Sequence, residues 1–148
     1  MDEFGSSLLA ANSAGRTFYT VQGEANAGRL LSGGTPWPTA PLEAHLGEGL
    51  YSWGCRSDAE AYMSMREGNG ATGLRIMEAT IPEAQYNALR AMDLRGLGAD
   101  AVDAWAGRHS LLYGEGVPHG LDHVIRTTQN FGPEFFFSKD VFPLFQLK

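Results

Sequence analysis

At 148 residues the chain is long enough for one domain with a two-layer core and too short for a dinucleotide-binding unit joined to a separate substrate domain. Seventeen acidic against eleven basic residues leave a formal charge of −6, which excludes a phosphate-tracking surface as its main binding principle, because nucleic-acid affinity rests on clustered Lys and Arg. Mean hydropathy is −0.21 and no apolar run is long enough to span a membrane, so a soluble domain is expected, and the sole cysteine, Cys55, excludes an intrachain disulfide and a structural zinc site, and reads as a small buried hydrophobe.

Residues 1–15 are small and polar, with neither a basic start nor a sustained apolar stretch. They are expected to be a linker or processed segment rather than a secretory signal, ahead of one domain at 16–148. The β-branched and aromatic run Thr17–Gln22 predicts a strand, and residues 24–31 predict the helix after it. By the period of two, Thr20 and Gln22 share a face, where each can hydrogen-bond a ribose or an amide, and Arg16 stands at the strand's entrance. Gly33-Gly34-Thr35-Pro36-Trp37-Pro38 predicts a rigid loop.

The most informative segment follows. Gly47-Glu48-Gly49-Leu50-Tyr51-Ser52-Trp53-Gly54 predicts a short glycine-flanked strand, and Ser57-Asp58-Ala59-Glu60-Ala61-Tyr62 opens a helix. Ser57 is expected as its N-cap, with Glu60 completing a capping box. Glycines 47, 49 and 54 lack a Cβ and let backbone approach a ligand closely. Tyr51 can stack on a flat ring, Ser52 can hydrogen-bond an amide, and Tyr62, about one helical turn after small Ala59, can close the far side. The alternative is an ordinary buried strand and helix in which Tyr51, Trp53 and Tyr62 are core mass.

Further on, Leu74–Pro82 alternates like a strand and stops at proline, residues 83–92 predict a helix, and residues 100–111 predict another with Ala101, Trp105 and Leu112 on an apolar stripe. Gly68-Asn69-Gly70 is a turn, and the glycine-spaced run 114–120 predicts a loop. Strands are expected at 122–128, at 132–138 with Glu134 at its mouth, and at 141–147. Several antiparallel strands with helices inserted early give an α+β domain. His119 and His123 are four apart, but Gly120 and the extended residues after it separate the rings, so no metal site is expected. The same two histidines could instead serve as general acid and base of a metal-independent ribonuclease, with Arg126 or Lys139 on the phosphate.

Taken together, the Gly-x-Gly-Leu-Tyr-Ser strand, the Ala-x-x-Tyr helix, the strand before them and the Glu134 strand near the C-terminus resemble the ADP-ribosyltransferase superfamily. The resemblance implies split antiparallel β-sheets with peripheral helices, NAD as substrate without a metal, and a nicotinamide clasped by the Tyr51 strand and its helix. It implies Glu134 and Tyr51 as catalytic residues, and Tyr19, Thr20, Gln22, Gly49, Ser52, Trp53, Ala59 and Tyr62 as the NAD-contacting set. Transfer of ADP-ribose passes through an oxocarbenium-like state, which a carboxylate beside the nicotinamide ribose stabilises while also accepting a proton from the nucleophile. Two positions depart from the pattern: the first strand offers Tyr19, Thr20 and Gln22 where the family carries Arg or His, with Arg16 and Arg126 next in line as NAD anchors. Gly132 stands where some members orient a target side chain with an acidic or amide residue.

The resemblance extends to the toxin modules of bacterial polymorphic toxins. It implies a secreted effector acting in the target-cell cytoplasm on a protein or RNA acceptor, with translation machinery among the options, and a cognate immunity protein that blocks the NAD cleft. A non-catalytic NAD- or ADP-ribose-binding module and a plain protein-interaction domain remain the other readings.

Overall fold

A computed structural model of the protein describes residues 15–34, 49–109, 120–128 and 130–148. Residues 1–14 of the expected linker, the Thr35–Pro38 part of the rigid loop, Gly47, residues 110–112 with Leu112 of the expected stripe, the loop at 114–119 and His119 lie outside the described residues, while Gly15, expected to end the linker, opens the first strand.

The chain is mixed α+β, and its described strands form one seven-stranded sheet. In chain order the elements are β1 (Gly15–Gly23), α1 (Glu24–Leu31), β2 (Gly49–Trp53), α2 (Arg56–Gly68), β3 (Leu74–Pro82), α3 (Glu83–Asn87), β4 (Ala91–Asp93), α4 (Ala99–His109), β5 (His123–Arg126), β6 (Glu134–Ser138), a 3₁₀ turn (Phe142–Leu144) and β7 (Gln146–Leu147). The strand order is β4-β5-β6-β2-β1-β3-β7. All neighbours are antiparallel except β4 and β5. The strands β4-β5-β6-β2 and β1-β3-β7 are joined into this one sheet through a single β1–β2 register pair, Tyr19↔Trp53.

The β1–β3 ladder runs unbroken from Gly15↔Pro82 to Gly23↔Leu74. Alternation sends Phe18, Met77, Ala79 and Ile81 to one face, where they meet Leu50 and Phe137. Helix α1 covers this face with Ala27 and Leu30, three apart and therefore on one side of the helix. Val141 and Phe142 complete the same core. The opposite face carries a second cluster of Leu94, Val102, Val124 and Phe136, with Tyr51, Trp105 and Leu121 packed against it.

Three expected elements come out differently. The helix at 83–92 ends at Asn87, and residues 91–93 form an edge strand parallel to β5. The Arg90 N–H donates to Asp122 Oδ2 at 2.9 Å, the Asp122 N–H to the Arg90 carbonyl at 2.8 Å, and the Leu94 N–H to the Ile125 carbonyl at 2.8 Å. Tertiary pairing thus overrides the helical propensity of Ala, Leu and Met. The strand expected at 141–147 shrinks to two residues because Val141 and Phe142 turn into the core and Pro143 sits in the 3₁₀ turn. Helix α2 begins one residue before Ser57, with Cys55 at its N-cap and no side-chain capping bond, so the capping box is not formed. Cys55 is exposed rather than buried. Among the described residues no helix is long and apolar enough to cross a membrane.

Candidate functional site

Directly opposed residues of paired strands point to the same side of a sheet, so the register sorts every proposed site residue. Tyr19 opposes Trp53, Trp53 opposes Glu134, and Glu134 opposes Arg126. These four side chains form one row across β1, β2, β6 and β5. Glu78 of β3 extends the row beyond Tyr19. One step along, Tyr51 opposes Phe136 with ring centroids 5.0 Å apart, and Phe136 opposes Val124. Tyr19, Tyr51, Trp53 and Glu134 therefore share the face that α2 partly covers.

Helix α2 reaches this face through its first two turns. Ala59 is fully buried, Tyr62 meets Trp53 at 5.2 Å between centroids, and Arg56 Nη1 lies 3.8 Å from Glu78 Oε2. The loop before β6 adds Phe131, edge-on to both Trp53 and Tyr62 at 5.7 Å. Its turn is closed by Thr128, whose hydroxyl accepts the Phe131 N–H at 3.0 Å and faces the Phe131 and Gly132 carbonyls at 2.7 and 3.0 Å. The expected ring slot between Tyr51 and Tyr62 is thus divided: Tyr62 closes on Trp53 and Phe131, while Tyr51 packs on Phe136. Asp58, in the first turn of α2, stands against Gly132 so closely that a Cβ there would overlap its carboxylate. The position two before Glu134, empty of a side chain in sequence, is filled in space by Asp58.

The carboxylate of Glu134 is almost buried and accepts a hydrogen bond from Arg126 Nε at 2.8 Å, with the two side chains 11% and 20% exposed. Such a pair holds its geometry because breaking it would leave a poorly solvated charge. It places a fixed anion beside an aromatic floor, an arrangement able to stabilise positive charge developing on a ligand held above it.

Three expected site residues lie on the other side of the sheet. Thr20 is fully buried and its hydroxyl donates to the Tyr51 carbonyl at 2.9 Å. Gln22 Nε2 donates to Thr20 Oγ1, and Gln22 Oε1 accepts from Asn26 Nδ2, both at 2.6 Å, which ties β1 to α1. Ser52 is fully buried and donates to the Phe135 carbonyl at 2.8 Å. The same alternation that sets Trp53 toward Glu134 turns Ser52 away from it. Gly49 has a structural reason to be glycine: a Cβ would strike the Phe137 carbonyl and the Phe136 ring, so the missing side chain admits β6 rather than a ligand.

His123 is also a structural residue. It is 1% exposed, stacked on Phe137 at 4.2 Å and 6°. Its Nδ1 lies 2.9 Å from the Phe136 carbonyl and its Nε2 3.1 Å from the Tyr86 hydroxyl. Because a carbonyl can only accept, the proton sits on Nδ1, and Nε2 accepts from Tyr86. Burial holds its pKa below the usual 6.5. With both nitrogens spent and no solvent access, His123 has no free position for the general acid or base of a ribonuclease.

Asp58 and Phe131 carried no signal in the sequence, since both depend on how the loop before β6 folds against α2. Arg126 was visible only as a second choice of anchor. Its promotion comes from the β5–β6 register, and a basic residue two positions from a buried strand's centre is the sole local hint. No three of His, Cys, Asp and Glu converge as metal ligands among the described residues. No protein-family model matches the chain, and no curated protein matches it.

Proposed function

We propose that the protein cleaves the nicotinamide–ribose bond of NAD and transfers ADP-ribose to an acceptor, as an ADP-ribosyltransferase-like enzyme. The observation that carries this is the row Tyr19–Trp53–Glu134–Arg126 on three contiguous strand pairings. Strands far apart in sequence, each expected to carry part of the NAD site, lie side by side in the order β1-β2-β6, with Tyr51 on the same face. Glu134 is the carboxylate beside the nicotinamide ribose. It hydrogen-bonds a ribose hydroxyl, stabilises the positive charge that grows on the sugar as nicotinamide leaves, and takes the proton from the incoming nucleophile. Tyr51 supplies the stacking surface, and Tyr19 and Trp53 line the floor. Thr20, Gln22 and Ser52 serve this site from behind, by fixing the strands that present it.

The wider context is proposed on the same footing: a secreted toxin module acting in a target-cell cytoplasm on a protein or RNA acceptor, held in check by an immunity protein over the cleft. The test is incubation of the domain with NAD labelled in its ADP-ribose portion and cell extract, followed by mass spectrometry of protein, RNA and small molecules. Label on one acceptor with nicotinamide released in equal amount supports transfer. Binding of NAD with neither label nor nicotinamide release replaces it with a non-catalytic binding module.

A further inference from the structure

The NAD reading leaves one demand unmet, because a dinucleotide carries a diphosphate and the chain has a net charge of −6, so the cleft needs a local cation. The first strand supplies none on the site face. Arg16 donates to Glu83 at 3.1 Å and lies 4.6 Å over the Tyr86 ring, on the sheet's other side. Arg90 is hydrogen-bonded to Asp122 and Arg95 to Asp93, Arg56 lies 3.8 Å from Glu78, and each of the three side chains is 44% exposed or more.

Arg126 is different. At 20% exposure its side chain is the most enclosed of the ion-paired arginines among the described residues, and it spends only Nε, on Glu134. Among the described residues its two Nη groups have no hydrogen-bonding partner. A guanidinium presents five N–H donors in a rigid planar fork, so a carboxylate on the Nε edge leaves the far edge free for a second anion. A phosphate suits that edge in bidentate fashion.

We infer that Arg126 is the phosphate anchor of the cleft: its Nη groups take the diphosphate attached to the nicotinamide ribose, while its Nε aims Glu134 at that ribose. The nicotinamide ribose carries its phosphate on C5′, so a cation adjoining the carboxylate that engages the sugar is within one sugar's reach of that phosphate. One residue of β5 thereby replaces the cation missing from β1. The inference rests on the NAD reading, and the ligands below separate the two.

Wild-type, Arg126→Gln and Arg126→Lys proteins are titrated calorimetrically with NAD, ADP-ribose and nicotinamide riboside, and nicotinamide release from NAD is followed in parallel. Thermal melts establish which variants are folded. Arg126→Gln is expected to lose about tenfold or more in affinity for NAD and ADP-ribose, and to keep its affinity for the phosphate-free riboside within about twofold. Arg126→Lys, which retains the charge without the fork, is expected to lose less for the same two ligands, and it carries the test if the glutamine variant does not fold. Equal losses for all three ligands would make Arg126 a support for Glu134 alone and overturn the inference, as would unchanged NAD affinity in a folded variant. Nicotinamide release by a wild type whose affinities do not depend on Arg126 leaves the NAD reading standing without its anchor. Arg126-dependent binding of ADP-ribose without any nicotinamide release keeps the anchor and removes the transferase. A wild type that binds none of the three ligands overturns both.

Discussion

The two faces of the sheet carry two polar pairs, each with one buried partner, that differ in what they have left to give. On one side, His123 and Tyr86 sit in the aromatic core with Phe18, Phe135 and Phe137, and both imidazole nitrogens are occupied. On the other, Arg126 and Glu134 share one hydrogen bond and keep four guanidinium N–H groups and a second carboxylate oxygen unspent among the described residues. A buried polar group that is fully satisfied fixes the fold, because every alternative arrangement costs a hydrogen bond. One that is half satisfied is where a ligand can be bound at a profit in hydrogen bonds. The two faces of one sheet are thereby assigned different tasks.

The largest expected effect breaks the closed face. Phe137 is fully buried among Phe18, His123 and Phe145, and Phe137→Ala is expected to cost about 3–5 kcal/mol of folding stability. Chemical denaturation measures it, and a loss under about 1 kcal/mol would mean that this face is not the main core.

On the open face the expected loss is in rate. Glu134→Gln retains size and hydrogen bonding and removes a charge needed only in the transition state, so nicotinamide release is expected to fall roughly a hundredfold or more, with NAD affinity little changed. Near wild-type turnover in the folded variant would remove Glu134 from the chemistry. A smaller effect is expected one step along the same face: Tyr51→Ala is expected to weaken NAD binding by on the order of 1 kcal/mol beyond lost area. Calorimetry with unaltered affinity would leave Tyr51 as core packing against Phe136 and nothing more.

The comparison sharpens further with pH. Burial lowers the folded-state pKa of His123 below 6.5, so the unfolded chain binds a proton more readily than the folded one. Its contribution is fully present above the unfolded value and is lost as pH falls from about 6.5 toward the lower folded value. Tyr86, Asp93 and Arg95 are the ionisable groups nearest to it. Asp93, held at about 2 chiefly by its hydrogen bond from Arg95, loses its own contribution only below the ordinary carboxylate range, so the two windows are separate. Melting temperatures from pH 7 to 5 should fall in wild type and flatten in His123→Gln; identical slopes would place the titration elsewhere. The smallest effect is expected from Gln22→Ala, which leaves NAD affinity unchanged within about twofold because Gln22 bonds Thr20 and Asn26 behind the sheet. A larger loss would put the anchor on β1 after all.

Much of this architecture was legible in residue pattern alone. The strands at 17–22 and 74–82 and the helices at 24–31 and from 57 emerge from periodicities of two and 3.6 that local burial enforces. The α+β class followed from their order. Local pattern failed where pairing partners decided the outcome, as at Ala91–Asp93, drawn into an edge strand by β5, and at Val141–Leu144, drawn into the core ahead of a short β7.

The candidate site divides along the same line. Residue type alone left Tyr51 and Trp53 as ordinary core and Glu134 as an edge-strand charge; the resemblance to ADP-ribosyltransferases is what set the three side by side, as stacking rings and a carboxylate for a ribosyl cation and its leaving group. Alternation alone turns Ser52 away from Tyr51 and Trp53, and Thr20 and Gln22 away from Tyr19. Only tertiary structure decided that Tyr19 is the β1 residue on the Tyr51 and Trp53 face, because that match is set by register between strands distant in sequence and one residue's shift inverts it. It also brought Asp58 against Gly132 across the length of the chain, and it set the β5–β6 register that puts Arg126 onto Glu134.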